Sequence, residues 1–492
     1  MASEKEIFEK MPVNKSILTL ALPAVAGQII LVIYNMADTF FVGLTGNDVM
    51  ISTVTVCMPA FMFLSAIANL FGVGGASLIS RSLGDRNREK AKNTAAFALL
   101  GCVVVSALYS LFTVLCRDSF VNFLGGTEKQ VHELACVYIT CTVAIGGMAT
   151  ALAALFSHLL RSEGRSLQAS IGIAMGGILN IGLDPLFMFV ILPEGNEVLG
   201  AAIATALSNL ISLVYFIVLL LRNREHTVLK FRPTRGMFGS GIPGGVFSAG
   251  LPACLMTLCE NISFAVLDRF MAVSGIAAQA GMGVAKKVNM LAHCTARGVA
   301  QGVLPLIGYN YASGDHRRMY SAMMRSTAAA AVLAGLWMGI CIAFDKALIG
   351  VFIHGQADSA LYGEKFLRIL CLGAPFSACA YTCITFFQAT GKGTKAVLLA
   401  LFRKGILDIP LMFVLNRAVP LFGSVWATPI TDLVCCILAV VLFARFMIRH
   451  TDLKQSAGTC ESNRETRKTV KRGILNKARG MIGNAFSQIS SN

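Results

Sequence analysis

The sequence predicts an all-α membrane protein with about twelve transmembrane helices, arranged as two six-helix bundles related by pseudo-two-fold symmetry along the membrane normal. Three observations carry this reading. Hydrophobic residues make up 55% of the 492-residue chain and charged residues only 14%, against roughly 25% charged in an average soluble domain. Apolar runs long enough to cross a bilayer recur from end to end, separated by short polar gaps. Landmarks of the first half return in the same order in the second.

A spanning helix needs about 20 mostly apolar residues. Runs of that kind fall at 17–42, 51–80, 94–116, 134–160, 167–192 and 199–221, and again at 239–267, 275–309, 319–344, 366–389, 396–419 and 422–447. Some exceed the bilayer thickness, which predicts tilt or turns projecting beyond the lipid. Residues 1–15 then form a cytoplasmic N-terminal segment, 16–221 the first bundle, 222–238 a cytoplasmic linker, 239–448 the second bundle and 449–492 a basic cytoplasmic tail. The mixed-charge N-terminus lacks a small-residue cleavage site, which disfavours a removable signal peptide.

The net charge of +16 does not point to nucleic acid, because the basic residues are scattered in short inter-run segments and the tail. Arg81, Arg86, Arg88, Lys90 and Lys92, then Arg161 and Arg165, then Arg222 to Arg235, then Arg317, Arg318, Lys392 and Lys395 occupy one set of alternate loops. By the positive-inside rule that set is cytoplasmic, which puts both termini inside a cell membrane. The fifteen cysteines lack paired C-x-x-C spacing and mostly sit in apolar runs; they read as packing residues, with no disulfide framework or zinc site expected. None of the seven histidines shows a ligand-like companion at metal spacing.

The repeat is the most informative feature. Leu22-Pro23-Ala24 returns as Leu251-Pro252-Ala253, Asp38-x-Phe40 as Asp268-x-Phe270, and Gly84-Asp85-x-x-Arg88 as Gly314-Asp315-x-x-Arg318, each about 230 residues on. Gly177-Ile178-Leu179-Asn180-Ile181 is echoed by Gly405-Ile406-Leu407-Asp408-Ile409. Gly200-x-x-x-Ala204-Thr205 is echoed by Gly423-x-x-x-Ala427-Thr428, with Asn209 and Asp432 following. An even number of helices per repeat gives parallel halves that enclose a central cleft, the architecture of a secondary transporter. A receptor or an enzyme fits this pattern poorly.

Ionisable and polar groups at membrane depth are costly and therefore candidate sites. The first span carries Gln28, Asn35 and Asp38. The fifth carries Asn180 and Asp184, four residues apart on one face, followed by Pro185. The sixth carries Thr205. Oxygen donors from three helices can converge on a hard cation, or Asp38 and Asp184 can share a proton. In the blander reading Asp38 is a helix-end residue and Asp184 merely a partner of Asn180. In the seventh span Glu260 either pairs with Lys286 or Lys287 or faces the cleft and attracts cationic cargo. Arg297 and the pair Arg403–Lys404 snorkel or line a vestibule. Met256, Met290, Phe376, Tyr381, Phe386 and Phe387 are candidates for an apolar cavity lining.

At "YNMADTFFVG" (34–43), "GGASLISRSLGD" (74–85), "RSEGRS" (161–166), "NIGLDP" (180–185), "GAAIAT" (200–205) and "QGVLPLIGYNYASG" (301–314) the chain resembles the multidrug and toxic compound extrusion (MATE) family, and its MepA-like bacterial branch in particular. The resemblance runs from Lys15 to about His450. It implies sodium- or proton-driven antiport of amphipathic, often cationic drugs and dyes, with no catalytic residue and no cofactor beyond the coupling ion. The family's cation site maps onto Asp38, Asn180, Asp184 and Thr205, and an acidic residue of its seventh helix onto Glu260. An aspartate that some relatives carry in the tenth helix falls near Ser377 here. The expected partners are small-molecule substrates and membrane lipids, with the chain acting as a monomer. A flippase for lipid-linked saccharides is the alternative, and a non-transporting sensor a third. The basic tail lies outside the resemblance; Ile474, Leu475, Ala478, Met481, Ile482, Ala485, Phe486 and Ile489 fall on an apolar stripe, which fits either a helix lying in the membrane interface or a disordered basic tail.

Overall fold

In the computed structural model, residues 4–448 are described apart from 194, 226, 230–234, 240 and 354–356, so the tail stripe lies outside the described residues. Among the described residues there is helix and connection but no strand. The first half runs α1 (Val13–Leu44), α2 (Asp48–Gly84), α3 (Arg88–Leu115), α4 (Arg117–Leu124), α5 (Lys129–Ile139), α6 (Gly147–Ser162), α7 (Ser166–Leu186) and α8 (Glu197–Arg222). The second runs α9 (Ile242–Ser274), α10 (Ile276–Ala312), α11 (His316–Ala343), α12 (Asp345–Gly350), α13 (Ala357–Cys371), α14 (Ala374–Ala389), α15 (Gly393–Leu401) and α16 (Asp408–Ala418), then α17 (Phe422–Ile448).

Eight helices are long and apolar enough to cross a membrane, and two bent pairs bring the number to ten. The remaining two spans of the expected twelve are α10 and the α15–α16 rod. Both interrupt their apolar residues with charge: Lys286, Lys287 and Arg297 in one, Arg403, Lys404 and Asp408 in the other. Arg403, Lys404 and Asp408 are buried, whereas Lys286, Lys287 and Arg297 are only partly so.

Two expected straight spans are broken. The run at 134–160 bends by 45° between Ile145 and Gly147, and that at 366–389 by 45° between Cys371 and Ala374. Each break falls at a glycine, Gly146 or Gly373, where helix propensity is poor. A π-type turn at Thr140–Ile145 precedes the first. Short helices α4 and α12 precede the broken spans in both halves, an element the apolar-run reading did not separate. Their place in both halves follows the repeat.

The turns obey the repeat as well. Asn87 Oδ1 accepts from Lys90 N at the start of α3, and Asp315 Oδ1 from Arg318 N at the start of α11, both at 2.9 Å. Such caps satisfy donors that a helix start leaves orphaned. Gly164 (φ +81°) and Gly391 (φ +71°) make the matching turns after α6 and α14, in a region that side chains other than glycine rarely enter.

Between the halves α1 packs on α10 and α2 on α9. The approach is close: a Cβ on Gly250 would stand 1.8 Å from the Leu70 carbonyl oxygen, and one on Gly74 2.3 Å from that of Val246. The N-terminal segment is also docked, where a plain cytoplasmic stretch was expected. Phe8 is fully buried against Tyr309, Tyr309 Oη donates to Glu9 at 2.6 Å, and Arg318 Nη2 donates to the Ile7 and Met11 carbonyls. Leu108, Leu115, Val190 and Ile217 remain exposed on the outer faces, as lipid-facing residues should in a solvent as apolar as they are.

Candidate functional site

Beyond these contacts a cavity of about 300 Å³ opens between the bundles. It is lined by α1, α2, α6, α7 and α8 of one half and mainly by α9, α10 and α14 of the other, with Leu370, Lys404 and Thr428 also reaching it. Of the expected lining residues, Gln28, Asn35, Met256, Glu260, Met290 and Tyr381 are there. Gln28 Nε2 donates to Gln301 Oε1 at 3.1 Å across the halves, and Asn69 Nδ2 to Thr257 Oγ1 at 2.9 Å.

Phe376 is not among the lining residues and is 39% exposed. Ser377 and Tyr381, four apart on α14, share its inward face. Phe376 sits about 100° round the helix from Ser377 and points away. Phe386 and Phe387 are fully buried in packing.

Glu260 lines the cavity but is paired, and with neither expected lysine. Its Oε2 accepts from Arg297 Nη2 at 3.0 Å, and the same Nη2 donates to Tyr381 Oη at 3.1 Å. Lys286 is bonded instead to Asp268, and Lys287 makes no ion pair within 4.0 Å among the described residues, although it lies in the field of Asp38. Glu260 on α9 and Arg297 on α10 thus meet from neighbouring helices of one bundle.

Behind Asn180, the only member of the expected cation set that reaches the cavity wall, lies the acidic cluster of the first half. Asn180 Nδ2 donates to Asp184 Oδ1 at 3.0 Å and to Thr205 Oγ1 at 3.3 Å. Asp184 is fully buried, and the Asp38 carboxylate is near enough to interact with it electrostatically. Three acceptors, Asp38 Oδ1, Asn180 Oδ1 and Asp184 Oδ2, are buried with no hydrogen-bond partner among the described residues.

The matching place in the second half is filled by the protein itself. Asp408, the counterpart of Asn180, accepts from Ser263 Oγ at 2.5 Å, Lys404 Nζ at 3.3 Å and Thr428 Oγ1 at 3.4 Å. Arg403 Nε donates to Asp432 Oδ1 at 2.8 Å and Arg403 Nη2 to Ser377 Oγ at 2.6 Å. Ser377 also bonds His293 Nδ1 at 3.0 Å. Arg403 is 0% exposed, so neither it nor Lys404 snorkels to a surface. The echoes at Asp408 and Asp432 were the sequence signal for this network, which the list of candidate residues omits. Arg161 is the other omission: it is 2% exposed, lines the cavity, and among the described residues reaches only Ser157 Oγ and Gln301 Oε1, each at 3.4 Å.

Two six-helix bundles around a largely apolar central cavity studded with polar and charged groups, with buried charge networks in both, define a membrane transporter and not an enzyme. The family model MatE matches the chain twice, at residues 23–186 and 252–414, and the chain belongs to that family. Among curated proteins it is similar to the multidrug export protein MepA of Staphylococcus saprophyticus, 28% identical across 88% of this chain and 94% of that one. The MepA of Staphylococcus aureus (strain NCTC 8325) is 27% identical, with the same coverage. Among solved structures it superimposes on a multidrug resistance MATE family transporter of the MOP superfamily in an outward-facing conformation. There the TM-score is 0.84 and the identity 23%, over 92% of this chain and 98% of that one. A MOP superfamily transporter from Pyrococcus furiosus gives a TM-score of 0.82 at 24% identity, over 91% and 98%.

Proposed function

We propose that the protein is a secondary active antiporter that exports amphipathic, often cationic organic compounds by alternating access, in exchange for sodium ions or protons. It sits in a cell membrane with both termini cytoplasmic and works as a monomer. Family membership and the multidrug-export relatives support the efflux reading. The observation that carries the coupling is the set of three orphaned acceptors, Asp38 Oδ1, Asn180 Oδ1 and Asp184 Oδ2. Buried acceptors without partners are expensive, and oxygen-only donors suit a hard cation. A proton shared between the two carboxylates answers the same need. Entry of the ion would lower the cluster's negative charge by one and its exit would restore it, giving the first bundle two electrostatic states that a gradient can bias.

The test is dye efflux from vesicles under an imposed sodium or proton gradient, with Asp184→Asn as the diagnostic variant. Efflux should collapse in that variant while the protein still reaches the membrane folded. Normal gradient-driven efflux by well-folded Asp184→Asn sinks the coupling assignment. A second reading, cargo bearing an anionic group as a lipid-linked saccharide does, is favoured by Arg161, whose Nε and Nη2 have no partner among the described residues. Competition of dye binding by anionic against cationic amphiphiles separates the two readings.

A further inference from the structure

Away from the cleft, where α4 meets α5, three side chains of different chemistry converge. His132 and Cys136 are one turn apart on α5, and Asp118 reaches them from the first turn of α4. The donor-to-donor distances are 3.4 Å for His132 Nε2 to Asp118 Oδ1, 3.5 Å for Cys136 Sγ to the same Oδ1, and 3.6 Å for Cys136 Sγ to His132 Nε2. Zinc binds imidazole, thiolate and carboxylate tetrahedrally at about 2.0–2.1, 2.3 and 2.0–2.2 Å, so the edges of such a tetrahedron come to about 3.4 Å for N···O and 3.6 Å for the two edges from sulfur. The three observed separations reproduce one face of it.

A second observation fixes the imidazole. His132 Nδ1 lies 3.0 Å from the Gly126 carbonyl oxygen, an acceptor only, so Nδ1 carries the proton and Nε2 presents its lone pair to the other two donors. Metal-bound histidines characteristically hold their second nitrogen in this way. Cys136 is buried while Asp118 is exposed, so the open side of the triangle faces solvent and leaves a route for an ion and a water as fourth ligand. Arg117 Nε is 3.8 Å from the same Asp118 oxygen; both side chains are exposed, and the guanidinium can turn away at little cost.

We propose that Asp118, His132 and Cys136 form a binding site for a divalent transition-metal ion, zinc by the softness of its donors, which pins α4 onto α5. Binding displaces the Cys136 thiol proton to solvent and leaves the thiolate on the metal. Because α4 is otherwise anchored by the fully buried Val121, in a cluster that includes Val42 and Met50 at the ends of α1 and α2, the ion would stiffen that end of the first bundle.

The test is a cobalt(II) and zinc titration of the full-length protein in detergent with any purification tag removed. One cobalt per chain should bind with tetrahedral visible bands and a thiolate-to-cobalt charge-transfer band, and zinc should displace it. Cys136→Ser should abolish the charge-transfer band, and His132→Gln should weaken zinc binding by more than about tenfold, the lower end of what losing even an outer-shell partner costs. Octahedral cobalt spectra, or wild-type affinity in a Cys136→Ser/His132→Gln variant that elutes as a folded protein, would overturn the site. If either variant fails to fold, the wild-type cobalt spectrum decides alone.

Discussion

Lys404 Nζ lies 3.3 Å from Asp408 Oδ2, one turn away on the same span, at the position of the second repeat that Gly176 and Asn180 hold in the first. One bundle thus carries its own cation where the other leaves three acceptors unsatisfied. The same asymmetry recurs at the paired aspartates: Asp268 is held by Lys286, whereas Asp38 has no ion pair within 4.0 Å among the described residues. Pseudo-symmetry of fold is preserved while the electrostatics differ between the halves, and the proposed coupling ion would enter the half whose acceptors are unsatisfied.

Lys404→Met should therefore destabilise the protein heavily, because it leaves Asp408 charged and buried. The cost of breaking such a pair on one side is about 3–5 kcal/mol, readable as a lowered melting temperature in detergent. Lys404→Met combined with Asp408→Asn should recover most of that loss. Asp184→Asn, at the matching place where no lysine or arginine is paired, should cost little stability while removing the proposed coupling. A double variant no more stable than Lys404→Met would show that the pair is not the source of the loss.

On the proposed function, a cationic cargo would compete with Arg297 for Glu260, which lines the cavity. Glu260→Gln should weaken binding of a lipophilic cation roughly tenfold, about 1.4 kcal/mol, and leave a neutral ligand of the same shape less affected. Arg297→Gln frees the carboxylate and should shift cation binding in the opposite direction. Binding titrations with the two ligands decide this, and equal losses for both in Glu260→Gln would reduce the pair to a structural one.

The fold was legible because membrane helices announce themselves by length and apolarity, and the repeat announces the two halves. What the sequence hid follows from the limits of those signals. The bends at Gly146 and Gly373 lie inside unbroken apolar runs, so hydropathy could not show them. Phe376 and Tyr381 both read as aromatic candidates, and only the helix phase set by Ser377 separates them. In the first half, Asn180, Asp184 and Thr205 were recoverable because they are polar at membrane depth, two of them at i, i+4 spacing, and because the family resemblance groups them. Partner choice was not recoverable. Glu260 had Lys286, Lys287 and Arg297 as possible counterions on α10, and register between two helices decides among them. The Asp118–His132–Cys136 triangle needed the turn between α4 and α5, which brings in a residue 14 positions from His132.

Gly250 and Gly74 set how closely α9 and α2 approach. A Cβ at Gly250 meets backbone oxygen at 1.8 Å, and packed backbone cannot yield as a flexible side-chain end does. Gly250→Ala should force the bundles apart on the side of the N-terminal segment. The expected outcome is a protein that folds but favours the opposite-facing state, with efflux lost and thiol labelling of cysteines placed on that side increased. Unchanged labelling and efflux would mean that the two bundles do not need to close there.

Glu163 joins the first bundle to the connection between the halves. Its carboxylate accepts from Thr227 Oγ1 at 2.8 Å and from Val228 N at 2.6 Å, with Arg165 Nε 3.6 Å away. Burial is the largest influence and raises its pKa above the ordinary carboxylate value, against the opposing hydrogen bonds and Arg165. A folded pKa above the unfolded one means the folded state binds the proton more tightly. Its contribution to stability is complete below the ordinary carboxylate range and is lost as pH rises through the raised folded value. The melting temperature in detergent should accordingly fall across that window, and Glu163→Gln, which keeps the shape without the charge, should remove this part of the pH dependence. Glu163→Ala should instead lower the melting temperature at every pH, since it strands the Val228 amide and the Thr227 hydroxyl, each about 1–3 kcal/mol when buried without a partner. A Glu163→Gln profile that tracks the wild type would assign the pH dependence to another group.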